Sequence, residues 1–322
     1  MAHNLWREPL LGMITGLGVA GLTASVAAQV ETGNSVSAPA NSSESTGAGP
    51  APVRVSTNVP VGFELVWSDE FEGDGLPDPT KWKYDTHRNA EGWYNNEKQY
   101  YASGRLKNSR VENGNLIIEA HEENLGAGRF EDWGGQEYSS ARLITQGLGD
   151  WTYGFFEIRA KLPCGRGTWP AIWTLPSDPD VVWPAGGEMD IMEHVGFEPG
   201  VIHHSIHTTA FNFSRGSQKT TQHDLPTACD QMHKYQLLWT PDMLLFAVDD
   251  GPKFLFKKES SKRTRWPFDQ PHHLLLNVAV GGDWGGRKGI DPAAFPARME
   301  VDYVRVYRPK TLIEAERDGA AQ

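Results

Sequence analysis

Short segments in which apolar and polar residues alternate dominate the chain from about residue 61 to 310. No long run there repeats every 3.6 residues. A period of two places alternate side chains on opposite faces of an extended strand. Phe63, Leu65 and Trp67 alternate in this way, as do Met299, Val301 and Tyr303 within Ala297–Tyr307. Asn113-Gly114 inside Val111–Ala120 is a strong hairpin signal, and Asp249-Asp250-Gly251-Pro252 reads as a second turn between Leu244–Val248 and Phe254–Phe256. Along Tyr153–Leu162, Phe156, Ile158, Ala160 and Leu162 share a core face. Tyr153, Phe155, Glu157, Arg159 and Lys161 share a charged, amphipathic face that suits a lined groove. Many short strands with Gly and Pro turns predict an all-β sandwich or barrel. A curved two-sheet sandwich would supply a concave cleft.

The rest of the chain has a different character. Arg7, an apolar run from Leu10 to Ala28 and small residues at Ser25, Ala27 and Ala28 form a secretory pattern. Residues 1–28 therefore read as a signal, with a retained anchor as the alternative, and the protein as secreted or periplasmic. Residues 29–60 are rich in Ser, Ala, Pro and Gly and lack the apolar mass to offset chain entropy, so they read as a linker. Residues 311–322 read as a frayed polar tail, leaving one domain over 61–310. The net charge of −11, from 41 acidic against 30 basic residues, argues against nucleic acid or an anionic membrane as partner. A monomer acting on an uncharged substrate, with no membrane insertion once the signal is cleaved, is expected. Cys164 and Cys229 are either one disulfide or two buried thiols.

Chemistry concentrates in Glu188-Met189-Asp190-Ile191-Met192-Glu193, three acids within six residues. On a regular strand Glu188 and Asp190 share a face and Glu193 takes the other. One β-bulge near Ile191 or Met192 returns Glu193 to the acidic face. Grouped carboxylates keep one another from ionising together, so one can hold a proton while another stays anionic. Glycoside hydrolysis needs that division, and the compactness of the cluster favours a retaining enzyme over an inverting one. Calcium prefers Asp-rich loops with Gly, so a metal reading of this segment is weaker. His204 and His207 point to opposite faces and do not assemble ligands with His203, whereas His207 suits a polar cleft. The chain has 12 Trp. Trp93, Trp133, Trp169, Trp173, Trp183, Trp266 and Trp284 sit beside Pro, Gly and polar residues and are candidates to stack on sugar rings.

The acidic motif resembles the active-site signature of glycoside hydrolase family 16, in the six-residue form of its laminarinase (endo-β-1,3-glucanase) branch. Trp67-Ser68-Asp69-Glu70-Phe71, Asn95-Asn96-Glu97, Ser140-Ala141-Arg142, Trp169-Pro170-Ala171-Ile172-Trp173, Asn277-Val278-Ala279-Val280-Gly281-Gly282 and Val301–Tyr307 extend the resemblance from Phe63 to Arg308. It implies a β-jelly-roll of two curved antiparallel sheets. It also implies Glu188 as nucleophile, Asp190 as electrostatic helper and Glu193 as acid/base, with Trp169, Trp173, Asn95, Arg142 and His207 lining glucose subsites. No cofactor is implied for catalysis. A structural calcium ion held by Glu70, the Gly114 carbonyl and Asp302 is a further implication. The loops Glu122–Glu137 and Phe211–Asp230 are where specificity in the branch varies. A β-1,3-glucan is the expected substrate. Action on mixed-linkage glucan or a galactan, and glucan binding without hydrolysis, are the alternatives.

Overall fold

The computed structural model describes residues 58–126 and 128–320, so the expected signal and nearly all of the expected linker lie outside the described residues. Strands run from Phe63 to Pro309 in two sheets. The ten-stranded sheet runs in the order Gly251–Lys257, Met243–Val248, His233–Trp239, Gly154–Lys161, Ala297–Pro309, Asn115–Glu122, Tyr138–Ser140 and Gln99–Tyr101. Phe63–Asp69 and Ser109–Glu112 join it at Ala297–Pro309 and Asn115–Glu122. The eight-stranded sheet runs Lys219–Asp224, Val201–His207, Glu188–Glu193, Thr168–Pro176, His272–Val280, Arg142–Ile144 and Lys83–Tyr84, with Asp150–Trp151 beside His272–Val280. The pairings are antiparallel except that Gln99–Tyr101 runs parallel to Tyr138–Ser140. Among the described residues no helix is long and apolar enough to cross a membrane.

Phe156, Ile158, Ala160 and Leu162 meet Met189, Ile172, Leu274, Leu276 and Val278 in one continuous core. Each of the larger side chains, fully buried, contributes roughly 1.5–3 kcal/mol before chain entropy is counted, and the Ala160 methyl less. The apolar side chains of the eight-stranded sheet are thereby committed inward, together with the buried ring of His204, which lies against Phe246.

The charged face of Gly154–Lys161 does not line the groove. The strand belongs to the ten-stranded sheet, where Phe155 packs with Leu238 and Leu245. Glu157 accepts from Gln236 and Tyr303. Arg159 and Lys161 pair with Asp302 and Glu300 on the neighbouring strand. Cross-strand ion pairs explain the charges without a ligand.

The two hairpin turns form where left-handed backbone is tolerated. Asn113 (φ 54) and Gly114 (φ 74) make a two-residue turn. In the second hairpin the turn is Asp249 (φ 49) and Asp250 (φ 63), shorter than the expected Asp249–Pro252, and Gly251 and Pro252 already belong to the strand. Side-chain bonds hold it there: Lys234 N donates to Asp249 Oδ1 (2.9 Å) and Asp250 N to Gln236 Oε1 (3.0 Å). The C-terminal residues, expected to fray, form a helix over Lys310–Ala320. Leu312 and Ile313 are half-buried, and Arg308 grips Glu316 through its two terminal guanidinium nitrogens (2.8 and 2.7 Å).

Cys164 and Cys229 are joined in a disulfide across 65 residues. Closing a loop of that length restricts the unfolded chain by about 4 kcal/mol in the chain-entropy treatment. Reduction, or Cys164→Ser, is expected to lower the unfolding free energy by up to about that amount. Urea melts with and without reductant measure it, and coincident curves would show that the bond contributes nothing.

Candidate active site

Glu188–Glu193 lies between Thr168–Pro176 and Val201–His207. Against the second neighbour, Asp190 stands opposite Ser205 and Glu193 opposite His203, so Ile191 and Met192 together face the single residue His204. Against the first, Trp173 pairs with Asp190 and Ile172 with Met192, which leaves Ile191 unmatched. This is the bulge that the acid spacing demands. Its effect on side-chain direction is direct: Met189, Ile191 and Met192 are all fully buried in the core. Glu188, Asp190 and Glu193 share the outer face, and the two glutamates are only half-buried.

Each acid has its own partners. Trp183 Nε1 donates to Glu188 Oε2 at 2.5 Å, and Trp169 Nε1 to Glu193 Oε1 at 3.2 Å. Asp190, 2 % exposed, lies between them with His207 Nε2 3.3 Å from its Oδ2. Ligand atoms of Glu188, Asp190 and His207 fall within 4.8 Å of one another. Burial, then the Glu188 charge and a hydrogen bond to Glu188, hold the Asp190 carboxyl well above the usual range. Asp190 is thereby held back from ionising and shares a hydrogen bond with Glu188. Burial, then the charges of Asp190 and Glu188, push Glu193 well above the ordinary carboxylate range against the opposing influence of His207 and Trp169. The arrangement can supply a protonated acid and an oriented carboxylate on one face.

The other expected binding residues fall into two groups. Trp169 and Trp173 are half-buried on this face. Trp173 Nε1 donates to Asn277 Oδ1 (2.7 Å), and Asn277 in turn donates to the Tyr101 hydroxyl (3.0 Å). Arg142 is clamped between Trp93 (5.0 Å) and Trp173 (4.8 Å) and paired with Asp85 (2.9 Å). That placement makes it a brace for Trp173. Asn95 occupies a left-handed turn (φ 58) whose carbonyl accepts from Asp283 N (2.7 Å), beside the loop carrying Trp284. Trp183 and Trp284 join the face, Trp284 edge-on to Trp169 (5.3 Å) and His203 (4.9 Å). Of the other tryptophans proposed to stack on sugar, Trp266 is buried against Phe256, Trp93 is buried under Arg142, and Trp133 packs beside Tyr100 and Leu125. Phe213, from the loop Phe211–Asp230, is 51 % exposed and leans on Trp183 (5.3 Å) and His207 (5.8 Å). Sequence reasoning missed Phe213 and Asp85, which no local pattern marks.

The family model described as glycosyl hydrolases family 16 matches residues 96–305. The chain belongs to glycosyl hydrolase family 16. It is 52% identical over 254 residues to a beta-glucanase of Rhodothermus marinus, covering 76% of this chain and 85% of the relative. The X-ray structure of the laminarinase from Rhodothermus marinus superposes with a TM-score of 0.71 at 52% identity, over 76% of this chain and 97% of that one. A non-specific endo-β-1,3(4)-glucanase of the family, SCLam, matches with a TM-score of 0.76 at 53% identity, over 80% and 95% of the two chains. The likeness covers both sheets, so the family 16 jelly-roll is the frame of the site and the protein is a glycoside hydrolase.

In this family 16 hydrolase the expected calcium ligands do not form a free set. Glu70 is held by Arg305 through two bonds (3.0 and 2.8 Å), and Asp302 by Arg159 (2.5 Å). Gly114 sits in a hairpin turn. Two guanidinium groups already neutralise the oxygens that a hard cation requires, so these residues as placed do not fit calcium. Besides Glu188, Asp190 and His207, the described residues hold one close grouping of metal-type ligands, Cys164, His194 and Cys229, and its sulfurs are consumed by the disulfide.

Proposed function

We propose that this family 16 hydrolase is a retaining endohydrolase of internal β-1,3 linkages in laminarin-like β-glucans. The observation that carries the reading is the bulge at Ile191, which turns Glu188 and Glu193 to one face with Asp190 between them. Glu188, oriented by Trp183 and by its hydrogen bond with Asp190, attacks the anomeric carbon. Glu193 gives its proton to the glycosidic oxygen as the C–O bond breaks, so the leaving sugar departs as an alcohol. Glu193, now anionic, takes a proton from water, which attacks the glycosyl–Glu188 ester and regenerates both carboxyl groups. Three acids within six residues favour retention, since retaining glycosidases hold their two carboxyls only about 5–5.5 Å apart and inverting ones hold them farther apart. Trp169, Trp173, Trp183 and Trp284 offer aromatic faces for pyranose rings, and an acidic chain suits a neutral glucan better than a sulfated galactan. The apolar run after Arg7 supports export, where a polymer too large to enter a cell is met.

The likeness to the non-specific β-1,3(4)-glucanase favours a second reading, in which mixed-linkage glucan is also cut. Laminarin, curdlan, lichenan, agarose and carrageenan, assayed side by side with linkage analysis of the products, test both. Laminarin cleavage at internal β-1,3 bonds is expected, with lichenan slower. Lichenan cleaved and laminarin untouched would remove the β-1,3 assignment.

A further inference from the structure

The bulge that gathers the acids leaves Ile191 without a matched residue on either neighbouring strand. An extra residue of this kind loses its place in the ladder, and its carbonyl needs another donor. Ile191 O accepts from His204 Nδ1 at 2.7 Å. His204 is also the one residue that the register sets opposite Ile191 and Met192. We infer that His204 is a positioning residue for catalysis: its Nδ1–H pins the bulge carbonyl and thereby fixes where Glu193 stands relative to Glu188. The inference rests on Glu193 being the general acid.

Several features support it. A carbonyl can only accept, so Nδ1 carries the hydrogen and the tautomer is set. Nε2 is then a bare acceptor, and it is buried with no hydrogen-bond partner. The ring is fully buried, stacked parallel on His223 (5.2 Å, 6°) and tilted against Phe246 (5.7 Å). A leucine here would bury no orphan nitrogen. The histidine carries that cost, and the bond to Ile191 is what it provides in return. Burial, with His223, His203 and Lys253 adding to it, pushes its pKa down to about 3, so the ring stays neutral through the neutral range and the donor is always present. His204 lies on the core side of the sheet, away from the acids, so it acts through the backbone. It does not touch sugar.

A displaced Glu193 has a specific kinetic signature. A poor leaving group, such as a sugar alcohol, needs Glu193 to protonate it, whereas 2,4-dinitrophenolate departs unaided. His204→Leu is expected to lower kcat/KM on laminari-oligosaccharides by about 10- to 100-fold, and on 2,4-dinitrophenyl β-laminaribioside by less than about threefold. KM for the oligosaccharide should change little. His204→Asn, whose amide nitrogen can occupy the place of Nδ1, should restore most of the oligosaccharide activity. His204→Gln carries its amide to the place of Nε2 and should not, and this second pair decides the matter where the leucine variant does not fold. Equal losses on both substrates, no loss on either, or Asn and Gln variants behaving alike would overturn the role of His204. Glu193→Ala in the same assay separates the two layers. If it lacks the leaving-group dependence, the acid assignment fails and the inference with it. If it shows the dependence and His204→Leu does not, only the His204 inference fails.

Discussion

Glu188→Ala is expected to lower turnover on laminarin by about 10⁵-fold, equivalent to roughly 7 kcal/mol of transition-state stabilisation. The side chain has no substitute on its side of the site. Asp190, the neighbouring carboxyl, is 2 % exposed and has a pKa raised well above the usual range by burial and by Glu188, so it is a poor nucleophile. Truncation leaves Trp183 Nε1 facing a space about the size of a carboxylate, since that nitrogen now bonds Glu188 at 2.5 Å. A small anion can enter there. Added azide should restore turnover of an activated aryl glycoside, attacking from the face that Glu188 vacated while Glu193 remains on the other. The product is then a glycosyl azide of inverted configuration, read from its anomeric proton by NMR. A retained azide from this variant would mean that the roles of Glu188 and Glu193 are exchanged. Transglycosylation by the intact enzyme at high substrate concentration follows from the same covalent intermediate.

The bulge was legible in the sequence because two rules conflict there. Period two separates Glu193 from Glu188 and Asp190, and hydrolysis needs them together, so only an inserted residue satisfies both. The core face of Tyr153–Leu162 was legible for a similar reason, since Phe156, Ile158, Ala160 and Leu162 can share only one side. The partner of the opposite face was not. Periodicity says which side chains stand together, and it is silent on which sheet the strand joins; Arg159 and Lys161 found Asp302 and Glu300 from a strand some 140 residues away. The tryptophans show the same boundary. Nothing local separates Trp266, buried on Phe256, from Trp183, bonded to Glu188. Glu70 and Asp302 look like free oxygen ligands along the chain, and the arginines that occupy them become visible only across the sheet. Arg142 reads as a polar contact in isolation, and only the fold places it between Trp93 and Trp173.

Glu193→Gln tests the other half of the chemistry and links it to stability. Glutamine keeps the shape of the protonated acid but can neither give up a proton nor take one from water. Activity on laminarin should fall by about 10²- to 10⁴-fold, the usual contribution of a positioned acid/base. In the intact enzyme Glu193 must be protonated at the first step, so activity is lost as pH rises through its raised pKa. That alkaline limb should disappear from what activity remains in the variant. The stability effect has a definite sign. A carboxyl whose folded pKa lies above its unfolded value of about 4.3 binds its proton more tightly in the native state. Its favourable contribution is complete below the unfolded value and is lost as pH rises through the folded one. Above that window the native state must hold an anion that its surroundings, chiefly burial and the neighbouring acids, oppose. A neutral glutamine is free of this penalty. Glu193→Gln should therefore melt higher than the intact enzyme at pH 8, by about 2–4 °C for each kcal/mol relieved, with the difference shrinking toward pH 4. The site would then be one where activity is maintained at the expense of stability. Parallel melting curves at pH 4 and pH 8 decide it: a variant no more stabilised at the higher pH than at the lower would mean that Glu193 is not held as an acid by its surroundings.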